Sequence, residues 1–199
     1  MSKVTVAAIN HATALELQIA STAVLEVDAD GVNLASGKNK NWYVDLVGDN
    51  FAVGGQGATY GQVTIGSRVY NAWELPTHAS NSPFVEVNFW LPPDYDAAPL
   101  SVVCYMFKTA TATGTDIDTR CRLGCIGVGD SLSPAVSSAV DVVDTVGANE
   151  ALFLVEHSLT PGNAANGGLC HGYIQRVPFV AADNYTSSVY LLGARVSYA

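Results

Sequence analysis

Apolar and polar positions alternate with a period of two along most of the chain. Leu15, Leu17 and Ile19 alternate with Glu16 and Gln18, and Leu25 and Val27 flank Glu26. A helix would place apolar residues three and four apart, so this spacing predicts strand. Asp30-Gly31 follows as a hairpin signal that returns Val32 to Leu34 alongside. Beyond a polar break at residues 38–41, Trp42 to Val47 reads as strand, and residues 48–61 as a long glycine-rich loop interrupted by Phe51 to Val53. Val63 to Ile65 and Arg68 to Tyr70 are short strand pieces. In Phe84 to Trp90, Val85, Val87 and Phe89 alternate with Glu86 and Asn88, giving one dry face and one wet face. Pro92-Pro93 ends that strand. Ser101 to Lys108 is an apolar strand, Thr109 to Thr115 a small-residue turn, and Asp118 to Ile126 sets Cys121, Leu123 and Cys125 on one face against Arg120 and Arg122. Ser133-Pro134 would open a short helix. Val140 to Thr145, Glu150 to His157, Leu169 to Val180 and Ser187 to Tyr198 read as strands. About ten strands with turns every eight to twelve residues predict a β-sandwich or barrel.

Composition narrows the function classes. Nine Lys and Arg against eighteen Asp and Glu give a net charge of -9, which repels phosphate backbones and argues against nucleic acid as a partner. No apolar run approaches the roughly 20 residues of a membrane span, and no signal-type core follows Met1-Ser2-Lys3, so the sequence reads as soluble and unexported. With 49% hydrophobic and 14% charged residues, the surface must be built from small neutral side chains, which suits subunit contact. Cys104, Cys121, Cys125 and Cys170 are widely spaced and read as reduced, buried thiols rather than a disulfide or a metal site.

Candidate chemistry is sparse. The Gly-x-Ser-x-Gly spacing of a serine hydrolase is absent, and Gly54-Gly55-Gln56-Gly57 lacks the Lys-Ser/Thr of a phosphate loop. His11, His78, His157 and His171 are single, and His157 and His171 read as satisfied core or interface side chains. Asp28/Asp30, Asp94/Asp96 and Asp116/Asp118 fall in predicted turns, where Asp bonds nearby amides. No cofactor, no metal and no catalytic residue are expected. Tyr95 and Tyr185, placed in loops, are the candidate glycan-stacking residues; Trp90, closing its strand, reads as a core plug or interface anchor.

From Val85 onward, Val85 to Pro92 with its proline stop, the small-residue turn Ala110 to Gly114, and Val142 to Val146 form an ordered set of pieces. They continue with Ile174-Gln175-Arg176-Val177, Asp183-Asn184-Tyr185-Thr186 and the terminal Val189 to Tyr198. In these pieces the chain resembles a jelly-roll domain of tailed-bacteriophage virion proteins. The pieces cover a little over half of the chain in the same order. Val177-Pro178-Phe179 stands where a second arginine-containing dipeptide is common, and about 80 N-terminal residues have no counterpart. The resemblance implies an antiparallel jelly-roll β-sandwich that trimerises.

The expected organisation is an N-terminal arm or hairpin over residues 1–35, which could equally supply the first sandwich strands, followed by the jelly-roll over 36–199. Ser2 to Ile19 is the arm candidate, able to add main-chain hydrogen bonds to a neighbour's sheet edge. The expected function is that of a non-enzymatic bacteriophage virion protein, a homotrimeric capsid decoration or cement protein on the outer surface of the capsid. It would bind the major capsid protein or other virion subunits and touch neither nucleic acid nor membrane. Its candidate interface residues are Val4, Val6, Leu15, Leu17, Trp90, Tyr190 and Tyr198. The alternative is a tail-fibre or spike module that binds host surface glycan.

Overall fold

A computed structural model describes the backbone of residues 15–19, 22–28, 31–34, 43–46 and 51–54. It describes backbone and side chains of residues 55–198 apart from 78–80, 92–94, 96–98, 128–129, 131–138, 162–167 and 179. Val4, Val6, the Asp94/Asp96 pair and the Ser133-Pro134 helix start lie outside the described residues, as does the arm segment before Leu15. The chain divides into two compact units, Met1–Lys40 (with Ala199) and Asn41–Tyr198.

In the first unit, β1 (Leu15–Ile19), β2 (Thr22–Asp28) and β3 (Gly31–Leu34) form an antiparallel sheet in the order β1-β2-β3. The alternating stretch that predicts strand here holds two strands, with Ile19 opposite Thr22. No Gly or Pro marks that reversal. The hairpin expected at Asp30-Gly31 is present, with Asp28 opposite Gly31.

The second unit is an all-β jelly-roll sandwich, without helix among the described residues. Its five-stranded sheet runs β11-β10-β13-β8-β5, built from β11 (Val140–Thr145), β10 (Asp116–Ile126), β13 (Leu169–Arg176), β8 (Phe84–Trp90) and β5 (Phe51–Gly55). Its six-stranded sheet runs β12-β9-β14-β7-β6, from β12 (Phe153–Leu159), β9 (Leu100–Phe107), β14 (Val189–Tyr198), β7 (Arg68–Leu75) and β6 (Thr59–Ile65). The sixth strand, β4 (Tyr43–Leu46), pairs with Ala194 to Ser197 of β14, while β7 takes Val189 to Leu191. Every pairing among the described strands is antiparallel.

Strand alternation builds the core directly. Val85, Val87 and Phe89 of β8 and Cys121, Leu123 and Cys125 of β10 face Leu100, Val102, Cys104 and Met106 of β9 and Val155 of β12, all buried. Each fully buried aliphatic side chain of this kind contributes about 1.5–3 kcal/mol. The cysteines do share the inward face, but they are not all thiols. Register sets Cys125 directly opposite Cys170, with Cα atoms 4.2 Å apart, and the two form a disulfide. Cys104 and Cys121 remain free, and burial pushes the Cys104 thiol up to about 12 and Cys121 well above its ordinary value.

The motifs that carry the virion resemblance form a structural lock. Arg176 closes β13 with its side chain fully buried, and all five of its N–H donors are used. Nε and Nη2 clasp the Asp183 carboxylate at 2.8 Å each, Nη1 reaches the carbonyls of Leu75 and Ser187, and Nη2 also donates to the Tyr185 carbonyl. Asn184 Oδ1 accepts from the amides of Thr115 and Asp116, and the Tyr185 hydroxyl donates to the Ala110 carbonyl. The turn at residues 183–186 is thereby pinned to the small-residue turn. Gly114, at φ +85°, passes so close to Asn184 that a Cβ would lie 1.9 Å from its carbonyl oxygen.

Candidate functional site

The outer face of the five-stranded sheet gathers chemistry from three strands distant in sequence. Registers align Trp90, Leu169 and Ile126 in one row across β8, β13 and β10; Asn88, His171 and Gly124 in the next; and Glu86, Tyr173 and Arg122 in the third. Phe84, Gln175 and Arg120 follow, with Asp141 of β11 beyond Arg120. At about 3.4 Å per residue, Phe84 to Trp90 spans about 20 Å along β8, and the three strands span about 10 Å across.

Several of these side chains have an identifiable support. Phe84 lies over Gly55 of β5, where a Cβ would meet its ring at 2.2 Å, so only glycine lets the ring lie down on its neighbour strand. Tyr173 packs against Phe84 with ring centroids 5.6 Å apart, and the Arg122 guanidinium sits over the Tyr173 ring at 5.9 Å. His171 Nδ1–H donates to Asn88 Oδ1 at 2.7 Å. Arg120 holds Asp141 in a two-pronged pair at 2.5 and 2.6 Å, and these hydrogen bonds keep the Asp141 carboxyl below the usual carboxylate range. Trp90 is 65% exposed. Flat apolar rings interleaved with donors and acceptors are the surface that a sugar, apolar on its C–H faces and polar on its rim, requires.

The opposite sheet has a smaller counterpart. Tyr190 stacks on Phe107 at 5.0 Å, Arg195 sits over Tyr105, and Ser188 Oγ donates to Glu74. A depression of about 260 Å³ is lined there by Thr59, Gly61, Ala72, Glu74 and Tyr190 among others. Phe107 is buried, so its ring offers little to a ligand.

The residues singled out by sequence divide sharply. Tyr95 and Tyr185 are each 1% exposed, which removes both as glycan contacts. Tyr95 packs edge-on against Tyr198, and Tyr185 lies inside the lock described above with Lys108 over its ring. Loop position did not imply exposure, because a backbone carbonyl satisfies the Tyr185 hydroxyl and lets its ring be buried. Tyr198 is likewise buried in the core and offers no surface to a partner. Trp90 is no core plug, since it ends β8 on the outer face. Tyr190 is half-buried on the six-stranded sheet, and Leu15 and Leu17 lie on β1, of which only the backbone is described.

Two carboxylates read as turn residues belong to a strand. Asp116 and Asp118 open β10; Asp116 accepts from Thr115, Thr145 and Asn184. Asp118 Oδ1 is buried without a partner among the described residues, and burial pushes its carboxyl up. His157 is a satisfied core side chain, bonded to Thr119 Oγ1 and the Val140 carbonyl at 3.2 Å each, and burial holds its imidazole below the usual range. Among the described residues no group of three His, Cys, Asp or Glu side chains is disposed to hold a metal. Tyr173, His171, Arg122 and Phe84 were missed as a group, because only strand register brings them together.

No family model matches the chain, and no curated protein matches it in sequence. Solved structures resemble it in strand arrangement. An arabinose-bound α-L-arabinofuranosidase, MgGH51, aligns with 81% of this chain and 27% of its own at 10% identity (TM-score 0.49). This chain therefore spans about a quarter of that enzyme. The CBM22-2 xylan-binding domain of Paenibacillus barcinonensis Xyn10C aligns with 79% of this chain and 99% of its own at 12% identity (TM-score 0.45). The enzymatically active domain of tailspike protein 4 from bacteriophage CBA120 aligns with 79% of this chain and 19% of its own at 6% identity (TM-score 0.43). In all three the likeness is one of fold.

Proposed function

We propose that the chain is a non-catalytic glycan-recognition module whose ligand lies along the outer face of β8, β13 and β10. The observation that carries this reading is the alignment of the exposed Trp90 with Tyr173 and Phe84 along one face whose intervening positions are Asn88, Glu86 and His171. Each aromatic ring covered by a sugar face loses apolar surface to water, and each adjacent polar group fixes a hydroxyl. A non-catalytic role is supported by the spacing of the face's two accessible carboxylates, since Asp118 of β10, near Asp141, is buried. Glu86 and Asp141 lie three strand spacings apart, about 14 Å, beyond the separation of up to about 9.5 Å at which glycosidase carboxylates cooperate. Asp141 is moreover committed to Arg120. The virion setting rests on the resemblance of the C-terminal motifs: on a tail fibre or spike, such a module would hold the particle to host surface polysaccharide.

Affinity electrophoresis of the wild type, Trp90→Ala and Tyr173→Ala through gels containing bacterial surface polysaccharides tests the reading. Each substitution is expected to weaken binding about tenfold or more, the equivalent of about 1.4 kcal/mol. Unchanged retardation of both variants overturns it.

A second reading, the trimeric capsid decoration protein, is favoured by Val143 on β11 and Leu152 and Leu154 at β12, each more than half exposed on neighbouring edge strands. A subunit contact would cover them. Light scattering of the purified chain and its copy number per particle separate the two readings: a trimer at hundreds of copies supports decoration, whereas tens of copies support a fibre.

A further inference from the structure

Arg122 stands apart from the other basic side chains of the face. Arg120 is neutralised by Asp141, and His171 is held by Asn88. Arg122 reaches over Tyr173 in the third row, its Nε buried without a hydrogen-bond partner among the described residues, and it makes no ion pair with a described carboxylate. A guanidinium half withdrawn from water with an unmet donor is costly unless a ligand supplies the acceptor. Planar, two-pronged donation suits a carboxylate best. Glu86 shares the row but lies two strands away, about 10 Å, with Tyr173 between them.

Resting on the glycan-binding reading, we infer that the ligand is an acidic polysaccharide, and that Arg122 receives the carboxylate of a uronic-acid-type sugar whose ring stacks on Tyr173. The overall negative charge does not oppose this. At physiological salt, charges farther than about 8 Å away are largely screened, whereas a contact pair on a partly buried arginine is not. Arg122 is thus the specificity-determining residue of the face, and Trp90 and Phe84 extend it for flanking sugars.

The test compares matched ligands that differ only in the carboxylate: polygalacturonate, alginate and hyaluronan, each alongside its carboxyl-reduced form. Binding to the full chain is measured for the wild type, Arg122→Gln, Arg122→Lys and Trp90→Ala, with thermal melts confirming that each variant is folded. For the polysaccharides that bind, the wild type is expected to prefer the carboxylated form by about tenfold, as a charge-assisted pair warrants. Arg122→Gln should bring that ratio to about one, with Arg122→Lys intermediate because a point charge cannot donate as a fork. Equal affinity of the wild type for both forms, or a preference that survives in Arg122→Gln, overturns the inference and leaves glycan binding standing. Absence of binding to every form, or binding indifferent both to Trp90→Ala here and to Tyr173→Ala in the affinity gels, overturns the glycan-binding reading and the inference with it.

Discussion

Replacing Arg176 with Met removes a cation whose five donors all have protein acceptors in a site that water does not reach. The Asp183 side chain, 1% exposed, would be left as an unpaired buried carboxylate, and breaking such a pair from one side costs about 3–5 kcal/mol. The carbonyls of Leu75, Tyr185 and Ser187 each lose a donor, at about 1 kcal/mol apiece. The sum, about 6–8 kcal/mol, is comparable with the whole net stability of a domain, about 5–15 kcal/mol. Arg176→Met is therefore expected to be largely unfolded or to show a greatly reduced urea midpoint, followed by tryptophan fluorescence. The double variant Arg176→Met/Asp183→Leu no longer strands a charge and should be more stable than the single one, a positive coupling that a double-mutant cycle reads directly. An Arg176→Met protein within about 1 kcal/mol of the wild type would refute the idea that this residue locks the C-terminal turn to the sandwich.

Three further outcomes follow from particular residues. Burial holds the His157 imidazole below its usual range, so as pH falls through about 6.5 the unfolded chain takes up a proton that the folded chain refuses; stability should decline over that window, and His157→Gln should flatten the decline in urea midpoints measured between pH 7.5 and 5. The Asp118 carboxyl is shifted the other way, by burial first and then by Asp141, so the folded state gains relative stability as pH falls and this group protonates; Asp118→Asn should raise stability at pH 7 by about 1 kcal/mol, with the gain vanishing below about pH 4. Gly172→Ala would drive a Cβ to 1.8 Å from the Arg122 carbonyl oxygen, which is backbone and cannot swing away; a loss of about 1–3 kcal/mol is expected in thermal or urea unfolding, with weakened protection of β10 and β13 amides in hydrogen exchange.

Period-two alternation was sufficient to locate the sandwich. The strands at Phe84 to Trp90 and Val140 to Thr145 fall where the pattern sets them, and the antiparallel jelly-roll is the observed architecture. Boundaries slipped where no residue announces them: the reversal between Ile19 and Thr22 lacks Gly and Pro, and Asp116 and Asp118 look like turn residues until Asn184 and Asp183 are seen to accept from their amides. The disulfide was illegible for the same reason as the face. Cys125 and Cys170 are 45 residues apart, and only the β10–β13 register places them opposite one another. That register also carries Arg122 to Tyr173 and, through β8, Tyr173 to Glu86. Aromatic residues misled in both directions, because exposure depends on whether a hydroxyl finds an internal acceptor, as in Tyr185, or a strand ends with its last side chain outward, as in Trp90. The residues read from sequence as resembling virion proteins, Arg176 and Asp183 to Thr186, turn out to hold the fold together, so that reading speaks to architecture more than to the ligand.

Where the ligand sits is the decisive question, and an amide NMR titration of the labelled protein with an oligosaccharide from the best-binding polysaccharide answers it residue by residue. Shifts concentrated on β8, β13 and β10, with the largest changes around Trp90, Tyr173 and the Arg122 side chain, are expected. Shifts confined to β6, β7 and β14 around Glu74 and Tyr190, or none at saturating ligand, would contradict the assignment of recognition to the five-stranded sheet.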